Sequence, residues 1–158
     1  MMASGKSTIG RLLAKKLNLI FFDTDFIIEK KAKMKIVEIF QKKGEPYFRN
    51  LEKKIILNLL NKNNCVISLG GGAFINEAVR KVAQKDNATI WLNWSLKTLI
   101  DRIKKNNKRP VASNLNNNEL KDLLIYRSKI YSKANYKIDC ANMQKAEIVN
   151  KIIQLLKL

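Results

Sequence analysis

Apolar residues along the chain fall alternately into helical and strand spacing. Residues 9–17 (IGRLLAKKL) carry their Ile and Leu at helical intervals, whereas 19–22 (LIFF) is a short continuous run of the kind a buried strand shows. The pattern then predicts helices over 26–31 and 36–43, a break at Gly44 and Pro46, and a long amphipathic helix over 48–61. A second strand, 66–69, runs straight into Gly70, Gly71 and Gly72. A helix over 76–84, a strand over 88–92 and a helix capped by Ser95 and continuing through 104 come next. Residues 106–118 are rich in Asn, lack periodicity and read as a loop; a helix over 119–134, a strand over 136–139 and a closing helix over 145–158 complete the order. Strands that alternate with helices predict a parallel sheet covered on both faces, because each crossover needs a helix to return the chain. Ligands of such sheets sit at the carboxyl ends of the strands, which here carry Asp23, Asp25, the three glycines and Asp139.

Composition narrows the chemistry. With 158 residues, 46% of them hydrophobic, the chain suits one domain with a real core. It has no His, which removes imidazole bases, Ser-His pairs and imidazole metal ligands. Two cysteines, Cys65 and Cys140, make neither a four-cysteine zinc site nor a disulfide framework, so a reducing, cytoplasmic setting is expected. No apolar run approaches the ~20 residues of a membrane span, and the chain reads as soluble, with no membrane partner. The net charge is +18, yet only six of the 31 basic residues are Arg, and the lysines spread along the whole chain. Nucleic-acid binding would call for clustered Arg with interleaved aromatics, so the charge is better read as attracting small anions such as nucleotides and carboxylates. A monomer is expected.

The first residues, Met1-Met2-Ala3-Ser4-Gly5-Lys6-Ser7-Thr8, precede a helix and resemble the second half of the phosphate-loop motif G-x-x-x-x-G-K-[ST]. There a glycine turn aims backbone N–H groups at phosphates, the Lys reaches the outer phosphates and the hydroxyl holds Mg²⁺. Residues 1–22 are also basic, amphipathic and free of acids, as a transit peptide would be, but the motifs downstream make sense only beside a phosphate site. The first glycine of the motif, and the strand that should feed the loop, are expected to lie ahead of Met1; the first strand of the sheet is therefore expected to be missing from this chain. A chain that truly started at Met1 would put folding and nucleotide affinity in doubt.

Taken together, S-G-K-S-T at 4–8, D-T-D at 23–25, G-E-P-Y-F-R-N-L-E at 44–52, S-L-G-G-G-A at 68–73, R-P-V at 109–111 and R-S-K-I-Y at 127–131 resemble the shikimate kinases over essentially the whole chain. The resemblance implies a P-loop three-layer α/β sandwich, a parallel sheet flanked by helices, as a single domain over 1–158 with a mobile lid at 106–118. It implies transfer of phosphate from ATP, with Mg²⁺, to the 3-hydroxyl of shikimate on the way to chorismate and aromatic amino acids. Arg49 and Arg127 then grip the acceptor carboxylate, which suits the planar guanidinium fork; surface pairing of Arg49 with Glu45 or Glu52 is the plainer reading. Asp25 resembles the carboxylate that accepts from the reacting hydroxyl. Asp23 and Ser7 resemble the Mg²⁺ site, with Ser68 in its outer shell, and Asp23-Thr24-Asp25 could equally cap a helix. Gly70, Gly71 and Gly72 let backbone approach the acceptor, or simply turn. Lys6, Ser4, Gly5, Ser7 and Thr8 hold the phosphates, and Arg109 resembles the lid arginine that neutralises the transferring group. Arg102 matches the arginine that stacks on adenine, while Gln144 and Lys145 fall at the adenine loop. Ala3 stands where many members have Gly. The rival readings are a kinase of another small acid such as gluconate, and an inactive, truncated P-loop protein.

Overall fold

In the computed structural model, which describes residues 1–105 and 115–158, Gly5 takes a left-handed φ of 79° and α1 (Lys6–Lys16) begins directly after it. Buried Ile9, Leu13 and Ala14 form its inner face, and Lys15 and Lys16 sit at its negative carboxyl end. β1 (Ile20–Asp23) leads without a spacer into α2 (Thr24–Ala32), because the Asp23 carboxylate accepts from the N–H groups of Asp25 and Phe26 and caps the helix. α3 (Ile36–Leu60) is two helical pieces joined at Gly44, whose φ of 79° and ψ of 166° break the ladder where the sequence predicts the break.

β2 (Cys65–Ser68) pairs with β1 in parallel, Ile20 opposite Cys65 and Asp23 opposite Ser68. A short 3-10 turn (Ala73–Ile75) follows the glycines, and α4 (Glu77–Asp86) starts on the Asn76 side-chain cap. β3 (Ile90–Asn93) precedes α5 (Leu96–Lys104), which Ser95 caps by accepting from the Thr98 N–H, as predicted. α6 (Asn117–Tyr131) starts inside the loop expected over 106–118: Asn116 accepts from the N–H of Asn118 and Glu119 while Glu119 accepts from the Asn116 N–H, and this reciprocal box sets the start. β4 (Tyr136–Asp139) pairs in parallel with β3, and α7 (Lys145–Leu156) closes the chain.

The strands form two separate two-stranded parallel sheets, β1-β2 and β3-β4, rather than the continuous sheet the alternation predicts. No strand among the described residues lies ahead of α1. A cavity of about 330 Å³ is lined by all of β2 and by Ile90, Trp91 and Leu92 of β3, with Met1, Phe74 and Tyr131 also on its wall. Ile9, Gly10 and Leu13 of α1 line the same cavity.

The core divides in the same way. Ile28, Ile39, Phe48, Ile55 and Leu59 pack α2 against α3 beneath the first pair of strands. Ile9, Leu13, Leu92, Ile138, Ile148 and Ile152 pack α1 and α7 on the second. Met1 and Met2 are buried with Trp91, Phe74 and Tyr131, which anchors the segment ahead of Gly5.

Candidate active site

The loop before α1 is shaped by what its carbonyls accept. The Met1 carbonyl takes the Ser4 hydroxyl at 2.9 Å and the Lys6 ammonium at 2.8 Å. The Ser4 carbonyl takes the indole N–H of Trp94 at 3.0 Å, and the Ala3 carbonyl takes Arg102 Nη1 at 3.4 Å. Ala3 adopts a φ of 55°, a conformation that glycine holds without strain. No side chain caps α1 and its first turn carries no acid, so the positive end of an 11-residue helix stands beside Lys6. That is an anion site by construction.

Beside the loop lies a pocket of about 690 Å³ lined by Ala3, Ser4, Gly5, Thr8, Trp94, Arg102, Gln144 and Lys145. It brings together Ser4, Gly5, Thr8, Arg102 and Gln144, all predicted for ATP. Arg102 sits over the Trp94 ring, its guanidinium carbon 3.9 Å from the centroid. Ser7 faces the other way, its hydroxyl 3.5 Å from that of Ser68 at the end of β2. Ser68 in turn is the register partner of Asp23. Asp23 is engaged as the α2 cap, so the capping reading predicted for it is realised. Among the described residues no group of three or more His, Cys, Asp or Glu side chains could hold a metal ion.

The second cluster is built around the glycines. A Cβ on Gly70 would stand 2.6 Å from Asp25 Oδ1 and 2.7 Å from Glu52 Oε1, and one on Gly72 would stand 2.8 Å from Arg49 Nη1. Such contacts are shorter than van der Waals packing permits, so the absence of side chains is what lets these charged groups close on the strip. Thr24, fully buried, clamps it: its hydroxyl donates to the Ser68 carbonyl at 3.1 Å and accepts from the Gly70 N–H at 2.8 Å. On the opposite side the Gly71 carbonyl accepts from Arg127 Nη1 at 3.3 Å and from the Tyr131 hydroxyl at 3.0 Å.

Arg49 does what its plainer reading anticipates: Nε and Nη2 each reach Glu45 Oε1 at 3.0 Å, and Nη1 reaches Glu52 at 2.7 Å. It still abuts Gly72, so it is both ion-paired and part of the cluster. Burial opposes its charge, but the two glutamates outweigh burial and raise its pKa. Glu52 is itself pushed up, by burial first, despite the pull of Arg49 and with help from the Asp25 charge. Arg127 is pushed down by burial and by the nearby charge of Arg49. Burial also drives the Tyr131 hydroxyl up, keeping it neutral and able to donate. The Arg127 Nε is buried without a hydrogen-bond partner. Arg109, the remaining candidate, lies outside the described residues.

Sequence reasoning left Tyr131, Thr24 and Trp94 without a role of their own and gave Glu52 only as a surface partner of Arg49. Helical spacing could have found Tyr131, which is four residues from Arg127. No local signal marks Trp94.

A lysine beside a bare helix end, and a glycine strip with a carboxylate and two arginines, on parallel strands and helices, are the parts of a phosphate-loop α/β phosphotransferase. A model of the shikimate kinase family matches residues 2–157. The shikimate kinases of a Sulfurihydrogenibium species and of Persephonella marina are 40% and 41% identical to the chain over 156 and 152 residues, covering 99% and 96% of it and 93% and 92% of those proteins. Among solved structures, the shikimate kinase of Acinetobacter baumannii in complex with shikimate superposes with a TM-score of 0.92 at 31% identity, covering 99% of this chain and 88% of that one. That of Aquifex aeolicus does so at 0.89 and 37%, covering 99% and 92%. The chain belongs to the shikimate kinase family.

Proposed function

We propose that the chain transfers the terminal phosphoryl group of ATP to the 3-hydroxyl of shikimate, with the two clusters as nucleotide and acceptor sites. The observation that carries this is the glycine strip, which holds Asp25 and Glu52 against Gly70, Arg49 against Gly72 and Arg127 on the Gly71 carbonyl. Shikimate is a ring with one carboxylate and three hydroxyls. The unpartnered buried Nε of Arg127 suits the carboxylate, since an orphaned cationic donor gains a charge-assisted bond when an anion arrives. Asp25 faces the strip where a hydroxyl needs an acceptor, and it would repel a phosphate acceptor such as AMP. Gluconate offers the same two kinds of group, a carboxylate and hydroxyls, and what favours shikimate over it is the family match.

Phosphoryl transfer asks the protein to align two oxygens and to stabilise charge spread over the moving group. Lys6 and the N-terminal N–H groups of α1 hold the phosphates; Asp25 orients the acceptor hydroxyl and takes up its proton. Arg109, placed in the lid by sequence, neutralises the transferring group. Ser7 and Asp23, with Ser68 beside them, offer hydroxyl and carboxylate oxygens only, a hard donor set that suits Mg²⁺, which keeps most of its waters. When bound, such an ion would draw negative charge from the phosphoryl group held beside Ser7 and Asp23.

Among the described residues no helix is long and apolar enough to cross a membrane. Two free cysteines support a cytoplasmic setting, and we take the working form to be a single domain acting as a monomer.

Release of ADP measured with shikimate, gluconate and AMP in turn tests the reading. Turnover with shikimate at least tenfold above the others is expected. Equal rates, or release independent of any acceptor, would refute it.

A further inference from the structure

We propose that Trp94 is a positioning residue of the nucleotide site, joining the base end of the pocket to the phosphate loop; this rests on the ATP reading above. Trp94 lies between β3 and the Ser95 cap of α5 and is half-buried. Its indole N–H donates to the Ser4 carbonyl at 3.0 Å, immediately before Gly5 and Lys6. Its ring carries the Arg102 guanidinium 3.9 Å from the centroid. Arg102 reaches the neighbouring Ala3 carbonyl at 3.4 Å, and both side chains line the pocket with Gln144 and Lys145.

The two contacts fix different things. A guanidinium held over an indole by the cation–π attraction is fixed in place, and its outer side is left to meet a planar, π-rich ring such as a nucleobase. The hydrogen bond to Ser4 pins a turn in which Ala3 already sits at a φ of 55°, a conformation that a residue with a Cβ keeps only when its surroundings enforce it. Binding a base against Arg102 therefore tightens the same indole that holds the loop, and the loop sets where Lys6 meets the outer phosphates. A phenyl ring at 94 would preserve the stack and lose the hydrogen bond; an aliphatic side chain would lose both.

Steady-state kinetics of Trp94→Phe and Trp94→Leu separate these roles. Phe should lower kcat about five- to tenfold with the KM for ATP within twofold, the size of one lost hydrogen bond. Leu should lower kcat as much and also raise the KM for ATP about tenfold, with the KM for shikimate unchanged in both. A merely structural role would move both KM values together and Phe would rescue Leu completely; that result overturns the proposal, as would wild-type kinetics in both variants. If either variant fails to fold, the emission of the indole in the native chain decides. In Trp91→Phe, which leaves Trp94 as the sole indole, ADP should change the emission and shikimate alone should not, whereas no response to ADP overturns the proposal. Absence of ATP turnover in the unaltered chain would instead sink the functional reading itself.

Discussion

The two halves of the site are built by different means. The half proposed for the acceptor is a set of interlocked charges: Arg49 with Glu45 and Glu52, Asp25 and Glu52 against Gly70, Arg127 on the Gly71 carbonyl. The half proposed for the nucleotide is backbone whose carbonyls are held by side chains from far along the chain, Trp94 reaching Ser4 across 90 residues. Side-chain sites are fragile to loss of a charge or gain of a methyl group, because here Glu52 and Arg127 are buried and would be left without their partners. Backbone sites bend by degrees, because several contacts share the work.

Substitutions that remove a charge from the acceptor half should do the most damage. Asp25→Asn keeps the shape but loses the proton acceptor, and kcat should fall about 10²- to 10⁴-fold with little change in the KM for ATP; ADP release under saturating substrates measures it. Gly70→Ala comes next, since its methyl would meet both Asp25 and Glu52 inside 2.8 Å. We expect kcat/KM for shikimate to fall about a hundredfold, more than for Gly72→Ala, which meets only the end of the Arg49 side chain. The reverse order would mean that the Asp25 contact is not part of the working site.

The split sheet offers a comparison of stability. Ile138 is fully buried in β4, and Ile138→Ala should cost about 2–5 kcal/mol. Val66 borders the cavity between the sheets and is only half-buried, so Val66→Ala should cost about 1 kcal/mol. Urea melts of the two variants would show whether that space is slack.

The smallest expected effect is one of pH. Burial raises the Glu52 pKa in the folded state, so the folded chain keeps its proton to higher pH than the unfolded chain does. Stability from this group is present below the ordinary glutamate value of about 4.3 and declines as pH rises through the raised folded value. Glu52→Gln should flatten that decline in melting temperature. An unchanged slope would show that Arg49 controls Glu52 more than burial does.

Much of this was legible in the linear sequence. The Gly44 break and the Ser95 cap are local events in which a few adjacent residues carry the physics, and S-G-K-S before a helix announced the phosphate loop. Asp25 and the glycines were marked by their place at strand ends. What escaped was non-local. The two strand pairs border a cavity whose walls come from segments far apart in the chain, and no single segment encodes that. A local miss is the start of α2, which Asp23 caps as the sequence allowed but which apolar spacing placed two residues later. Thr24 looked like a spacer between two acids until its hydroxyl was seen to tie β2 to the glycine strip. Trp94 is an isolated aromatic whose meaning lies in residues 3, 4 and 102.

The most direct test of the two-site account is the kinetics of Arg127→Ala with ATP and shikimate varied independently. The KM for shikimate should rise roughly 30-fold or more, the cost of losing a buried charge partner, while the KM for ATP stays within twofold. A KM for shikimate left at its native value, or a matching rise for ATP, would contradict the assignment of the glycine strip and its arginine to the acceptor.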